Sequence, residues 1–200
     1  MKPIQFDEVK NIYEYEKVRK PFREKVIAEK KARRIHLGEN MTIVFENRDT
    51  VLFQIQEMIR TEKIITDRGM QHEIDTYNEL LPGENELSAT LLIDITDKHL
   101  IKTTLDSLIG LNKNSLFLKI AHNEYPANFD ESQIEEGRIS AVQYIKWKLS
   151  AADAQAFADP STAVELFVRH PNYTGLHTLS KSERSALNRD LSETAENIHT

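Results

Sequence analysis

The chain has 200 residues, 40% of them hydrophobic, and no cysteine. That length suits one large domain or two small ones with a core that needs no covalent staple, and the missing thiols exclude a cysteine nucleophile, a disulfide and a cysteine-held zinc or iron–sulfur cluster. The net charge is −6, yet residues 17–34 hold nine basic side chains against Glu24 and Glu29, so that segment carries +7 and the remainder −13.

The first residues, MKPIQFDEVKNIYEYEK, are charged throughout and lack the apolar stretch of a signal peptide. No apolar run approaches the roughly 18 residues of a membrane span. The expectation is a cytoplasmic protein with no membrane partner.

Asp7 reads as the N-cap of a first helix with Val9, Ile12, Tyr13 and Tyr15 at helical spacing. The residue before a proline resists helical geometry, so Lys20 marks an expected break. Pro21 then opens a second helix to about Arg33, with Phe22, Val26, Ile27 and Ala32 toward the core. Arg34–Leu37 and Met41–Glu46 read as a hairpin around Gly38-Glu39-Asn40, where Gly38 and Asn40 tolerate positive φ. Asn47 caps a helix from Arg48 to about Lys63. Another runs from about Asp67 to Leu80, with Gly69 in its first turn. Leu81–Asn85 is the clearest break, and divides a helical region, 1–82, from an α+β region, 83–200; both also fit one compact domain.

In the second half, Ala89–Ile95, Ser115–Ala121, Ile139–Leu149 and Ala163–Arg169 read as strands. A helix capped by Thr96 and Asp97 ends at Gly110, and Ser150 caps a short Ala-rich helix to about Ala158. The fold class is α+β: a helical N-terminal part with a small hairpin, then a mixed sheet resembling a ferredoxin-like β-α-β-β-α-β arrangement. Ser180 and Glu183 form a capping box for a last helix to about Leu191, followed by a frayed tail, Ser192–Thr200.

The helix over 48–60 carries the most informative pattern. Val51, Leu52, Ile55, Met58 and Ile59 make one aliphatic face; Asp49, Phe53, Gln56 and Arg60 line the opposite one. A Phe inside a polar stripe implies a helix covered on both sides, with its polar groups paired. One reading is a structural network that locks the N-terminal helices. The other is a site that grips an anionic ligand through Arg48, Asp49, Gln56 and Arg60. The absence of an evident acid–base pair or nucleophile favours the first.

On the basic segment, Lys20, Arg23, Lys30 and Arg34 share a side and are the candidates for partner binding. Few aromatics interleave them and the rest of the chain repels phosphate, so an acidic protein partner fits better than nucleic acid; a solvated face neutralised by the protein's own acids is the simpler reading. The seven histidines form no H-E-x-x-H frame, and the one Glu-x-x-His, Glu196 to His199, has no second copy. No metal or cofactor is expected. Phosphate-loop and nucleophile-elbow motifs are absent. His170, in His170-Pro171-Asn172-Tyr173, reads as a hydrogen-bonded turn histidine rather than a base or ligand.

Tyr15-Glu16-Lys17-Val18-Arg19, Phe22-Arg23, Lys30–Arg34, Phe45-Glu46-Asn47-Arg48-Asp49-Thr50 and Phe53–Met58 resemble bacterial domain-of-unknown-function family 3501, with His170-Pro171 and Tyr173 as the echo in the second half. The resemblance covers nearly the full length. It brings no catalytic residues, but it implies a setting beside rubrerythrin-like and iron–sulfur proteins, in peroxide defence or electron transfer. The resulting expectation is a non-catalytic accessory protein that docks an acidic or redox partner. The alternative is an enzyme or small-anion binder built on the 48–60 helix.

Overall fold

The structure is a computed structural model and describes residues 1–130 and 137–196. It is α+β. Helix α1 (Ile12–Lys30) leads into a hairpin, β1 (Arg34–His36) and β2 (Met41–Glu46), then α2 (Arg48–Thr61) and α3 (Asp67–Asn78). There follow β3 (Glu86–Ile93), α4 (Ile101–Ser107), β4 (Leu116–Ile120), β5 (Asn123–Pro126), β6 (Asn128–Phe129) and β7 (Val142–Lys148). The chain then forms α5 (Ala151–Ala158), β8 (Val164–His170), β9 (Tyr173–Thr178) and α6 (Lys181–Glu196). Residues 197–200, with His199 and the end of the expected frayed tail, lie outside the described residues.

Two antiparallel sheets face each other, with strand orders β1-β2-β3-β7-β6 and β5-β4-β8-β9. Leu87, Ala89, Leu91, Ile145 and Trp147 of the first sheet share one core with Leu116, Leu118, Val164 and Leu166 of the second. Ala154 and Phe157 of α5 and Leu187 and Leu191 of α6 join this core. Trp147 is fully buried, its ring centroid 5.6 Å from that of Phe45, and its indole N–H has no hydrogen-bond partner among the described residues.

Strand alternation sorts β2. Met41, Ile43 and Phe45 enter the shared core, and Thr42, Val44 and Glu46 take the opposite face. All six are buried, so β2 is covered on both sides. The helices supply the second cover. Val51, Ile55 and Ile59 of α2 pack with Met70 and Ile74 of α3 and with Ile4 and Val9 in a separate cluster.

The sandwich is joined at both sides. The chain passes from β5 in one sheet to β6 in the other through Ala127, whose N–H donates to Leu116 O at 2.8 Å. Opposite, Tyr173 Oη donates to Leu37 O at 2.7 Å and accepts from Asn40 N at 3.1 Å. Gly38, at φ +78°, lies so close that a Cβ there would sit 2.5 Å from Tyr173 Oη.

Several expectations require correction. The ferredoxin-like arrangement is not what forms: β3 and β7 pair with each other in one sheet, while β4 and β8 pair in the other. Three strands absent from the sequence reading complete the sheets, namely β5, β6 and β9. The two expected N-terminal helices are one, α1, capped by Asn11, whose side chain accepts from Glu14 N; Asp7 lies in a preceding 3-10 turn. Pro21 sits inside α1 without ending it. Ile27, expected toward the core, is 45% exposed, and Tyr13, read as part of the apolar spacing of the first helix, is 84% exposed. The β2–β3 ladder runs from Met41↔Ile93 to Glu46↔Ser88, and so spans the Leu81–Asn85 turn.

Candidate functional site

Helix α1 packs on α2 through Tyr15, Arg19 and Phe22, and the buried Val26 continues the same face at helical spacing. Phe22 meets Phe53 edge-to-face at 5.7 Å. This is the apolar contact that the Phe in the polar stripe of α2 required. The other cations of α1 run from the flank beside this face, at Arg23 and Lys30, to its outer side.

The nine basic residues of 17–34 divide into two sets. Arg19 makes a bidentate pair with Glu57 at 2.7 and 2.9 Å. Lys25 bonds Asp49 at 2.5 Å, and Arg33 bonds Asp190 at 2.5 and 2.7 Å. Lys17, Lys20, Arg23, Lys30, Lys31 and Arg34 have no ion-pair partner among the described residues. All but Lys30, which is half-buried, are exposed. Lys20, Arg23 and Lys30 fall within about 80° of one another around the helix, and Arg34 opens β1 just beyond. The four candidate residues therefore lie along one unpaired ridge, about 15 Å long from Lys20 to Lys30 at helical rise.

The candidate stripe on α2 is engaged internally at every position. Arg48 bonds Glu8 at 2.5 Å and Lys2 O at 3.2 Å. Asp49 takes Lys25, and Arg60 bonds Glu16 at 2.5 Å. The Gln56 amide is buried; its Oε1 accepts from Lys10 N and its Nε2 donates to Lys10 O, both at 2.9 Å. One amide side chain thus serves the extended backbone before α1 as a neighbouring strand would. Glu57 also accepts from Tyr15 Oη at 2.7 Å. The Arg19 hydrogen bonds hold the Glu57 carboxyl below its ordinary pKa, against burial and with help from Tyr15. Burial and the adjacent carboxylate push the Tyr15 phenol up, so it remains a donor.

Behind the ridge lies a buried network. Asn47 Nδ2 donates to Glu29 at 2.5 Å, while Arg33 Nε is 3.5 Å from the same carboxylate without hydrogen-bond geometry. Glu46, 2% exposed, accepts from Thr50 at 2.5 Å and from Thr90 at 2.7 Å. Burial works against the Arg33 charge, but the bonded Asp190 carboxylate outweighs it, with Glu29 and Glu46 adding, so its pKa is raised. This joins α1, β2, α2 and α6. It is a packing device in which each buried charge keeps a hydrogen-bond partner, an ion for Arg33 and Asp190 and neutral donors for Glu46.

No cluster of three metal-ligating side chains occurs among the described residues. His170 is buried, with Nε2 3.2 Å from Ile109 O and Nδ1 accepting from Asn172 N at 3.3 Å. Both ring nitrogens are therefore occupied, Nδ1 by the turn that starts β9 and Nε2 by the segment after α4. No helix is long and apolar enough to cross a membrane among the described residues.

Residues 3–191 match the family described as "Protein of unknown function (DUF3501)". The chain belongs to this family. As a DUF3501 member it is similar to a crystal structure at 1.90 Å resolution of a novel protein of unknown function from Burkholderia pseudomallei K96243. The two share 28% identity with a TM-score of 0.88, over 95% of this chain and 100% of that one. Among curated proteins, none matches. The sandwich backed by a helical layer is thus shared with a solved relative.

One part of this DUF3501 chain escaped the sequence reading altogether. The outer face of the first sheet carries a polar row across four strands, Glu46↔Ser88↔Lys146↔Asn128. Tyr144 lies in the next row, and Asp130 N donates to its carbonyl at 3.0 Å. The signal was available in β3, where Glu86, Ser88 and Thr90 alternate with Leu87, Ala89 and Leu91.

Proposed function

We propose that this chain is a non-catalytic accessory protein that docks an acidic protein partner on the cationic ridge of α1. The observation that supports this is the sorting of charge: six of nine cations in 17–34 lack an ion partner among the described residues and stand on a body of −13. Unpaired exposed cations of one sign steer an oppositely charged surface and raise its association rate. The same body charge repels nucleic acid. The family resemblance adds the class of partner: a redox protein of peroxide defence or electron transfer, of the rubrerythrin-like or iron–sulfur kind. Without cysteine, this chain serves such a partner from outside the cluster rather than by ligating it.

The test is binding of a purified acidic rubrerythrin-type protein to the tagged chain at low and high salt. Expected is association at low salt that weakens steeply as exposed charges are screened over about 8 Å at physiological ionic strength. The variant Lys20→Glu/Arg23→Glu/Lys30→Glu loses it while keeping its thermal midpoint. Association untouched by both salt and the variant overturns the ridge as the docking surface. Self-association lost in the variant identifies the acidic face of a second copy as the partner instead.

A further inference from the structure

A cleft lies on the far side of the helical layer from the ridge. It runs between the C-terminal end of α3 and the outer face of β3, β7 and β6. Two adjoining hollows of about 270 and 220 Å³ share Glu79, Leu80, Asp130 and Tyr144. Each is smaller than the roughly 300 Å³ at which drug-sized ligands begin. Joined, they admit a small elongated molecule.

The lining sets its chemistry. Glu73, Glu79, Glu86 and Asp130 stand against a single cation, Lys146. Lys146 is already held, donating to Leu81 O at 3.1 Å and lying 3.6 Å from Glu86. Glu86 in turn accepts from Gly83 N at 2.7 Å. Glu73 and Glu79 have no ion-pair partner among the described residues. Tyr77, Tyr144 and Phe129 supply aromatic walls. Such walls favour cations whose charge is spread over N–H and C–H groups.

The floor gives an independent sign of an occupant. Ser88 is 2% exposed and lines the larger hollow from the outer face of β3; its hydroxyl has no hydrogen-bond partner among the described residues and is not sealed from the hollow. A hydroxyl in that position is free to accept from a donor in the hollow. A bare metal ion does not suit the site, since no three ligating side chains converge among the described residues. We propose that this cleft binds a small organic cation, an amine or guanidine, whose charged end is held by Glu73 and Glu79, whose N–H meets Ser88 and whose carbon chain lies along Tyr77, Tyr144 and Phe129.

The probes are agmatine and cadaverine, with 1,5-pentanediol as the uncharged match for cadaverine and inorganic phosphate as the anion. Calorimetric titration of the full chain is expected to give saturable binding of agmatine or cadaverine with Kd below about 1 mM, and none of the diol or phosphate. Glu73→Gln/Glu79→Gln weakens it about tenfold or more, and Ser88→Ala several-fold, with the thermal midpoints of both variants unchanged. The ridge variant retains full binding, so this cleft and the docking surface fail or stand separately. No saturable binding by either amine, equal binding of the diol, or an affinity unaltered by the Glu73→Gln/Glu79→Gln change overturns the assignment.

Discussion

Asp190→Ala tests how the last helix is held to the first part of the chain. The Arg33 and Asp190 side chains are 1% and 3% exposed and meet through two hydrogen bonds, and Arg33 also donates to Ala186 O at 3.2 Å. Removing the carboxylate strands a guanidinium that burial already disfavours. Breaking one side of a buried pair typically costs about 3–5 kcal/mol. Glu29 remains 3.5 Å from Arg33 Nε and compensates in part, which places the expected loss near 3 kcal/mol, the lower end of that range. For a chain of this size each kcal/mol shifts the midpoint by about 2–4 °C, so calorimetry should record a drop of about 6–12 °C. The double variant Arg33→Met/Asp190→Leu removes both charges and should return to within about 1 kcal/mol of the parent. A single variant that melts with the parent refutes the argument. So does a double variant as unstable as the single one, because the loss would then come from packing and not from a stranded charge.

Two further outcomes follow from other contacts. Gly38→Ala puts a Cβ 2.5 Å from Tyr173 Oη at φ +78°, and the left-handed backbone alone costs about 1 kcal/mol or more; urea unfolding should show a loss of about 2 kcal/mol or more, and an unchanged midpoint would mean that the joint between β9 and the hairpin gives way freely. Glu57 is held below its ordinary value of 4.5, chiefly by Arg19. Its contribution is therefore present above pH 4.5 and is lost as pH falls through the lowered value. Melting midpoints should be roughly flat above pH 5 and fall on acidification. Glu57→Gln should lower the midpoint at neutral pH and flatten that acid limb; parallel limbs would show that the pair does not contribute to acid sensitivity.

How much of this was legible in sequence depends on the range of the cause. The β1–β2 hairpin, the Asn47 cap and the α5 and α6 starts rest on signals within four residues, and all of them form. The aliphatic face of α2 was readable for the same reason: Val51, Ile55 and Ile59 are at most 1% exposed. Pro21 misled because the local rule counts only its lost N–H and its clash. The contacts of Tyr15, Arg19 and Phe22 with α2, on both sides of Pro21 in sequence, keep the helix continuous through it. The missed strands β5, β6 and β9 are short or edge elements, and the register that orders them comes from distant partners. The division into two sheets likewise depends on which strand β4 meets, and a single chain of letters does not say that its partner is β8 rather than β3. At the candidate sites, helical spacing sets Lys20, Arg23 and Lys30 side by side, since they need only one helix. It did not reveal their freedom from acids, because Glu57, Asp49 and Asp190, which claim the other three cations, come from elsewhere in the chain.

Trp147 is the chain's only tryptophan, and it sits between the sheets with its indole N–H unbonded among the described residues. An indole so placed emits at short wavelength when excited and shifts to the red once water reaches it. Its emission therefore reports opening of the sandwich and is blind to the helical layer, whose apolar cluster of Val51, Ile55, Ile59, Met70 and Ile74 contains no indole. Helical circular dichroism draws heavily on α1, α2 and α3. Following both signals through one urea titration compares the two clusters directly: coincident curves mean that the layer and the sandwich unfold as one cooperative unit, and a dichroism change that precedes the red shift means that the helices detach while the strands are still closed.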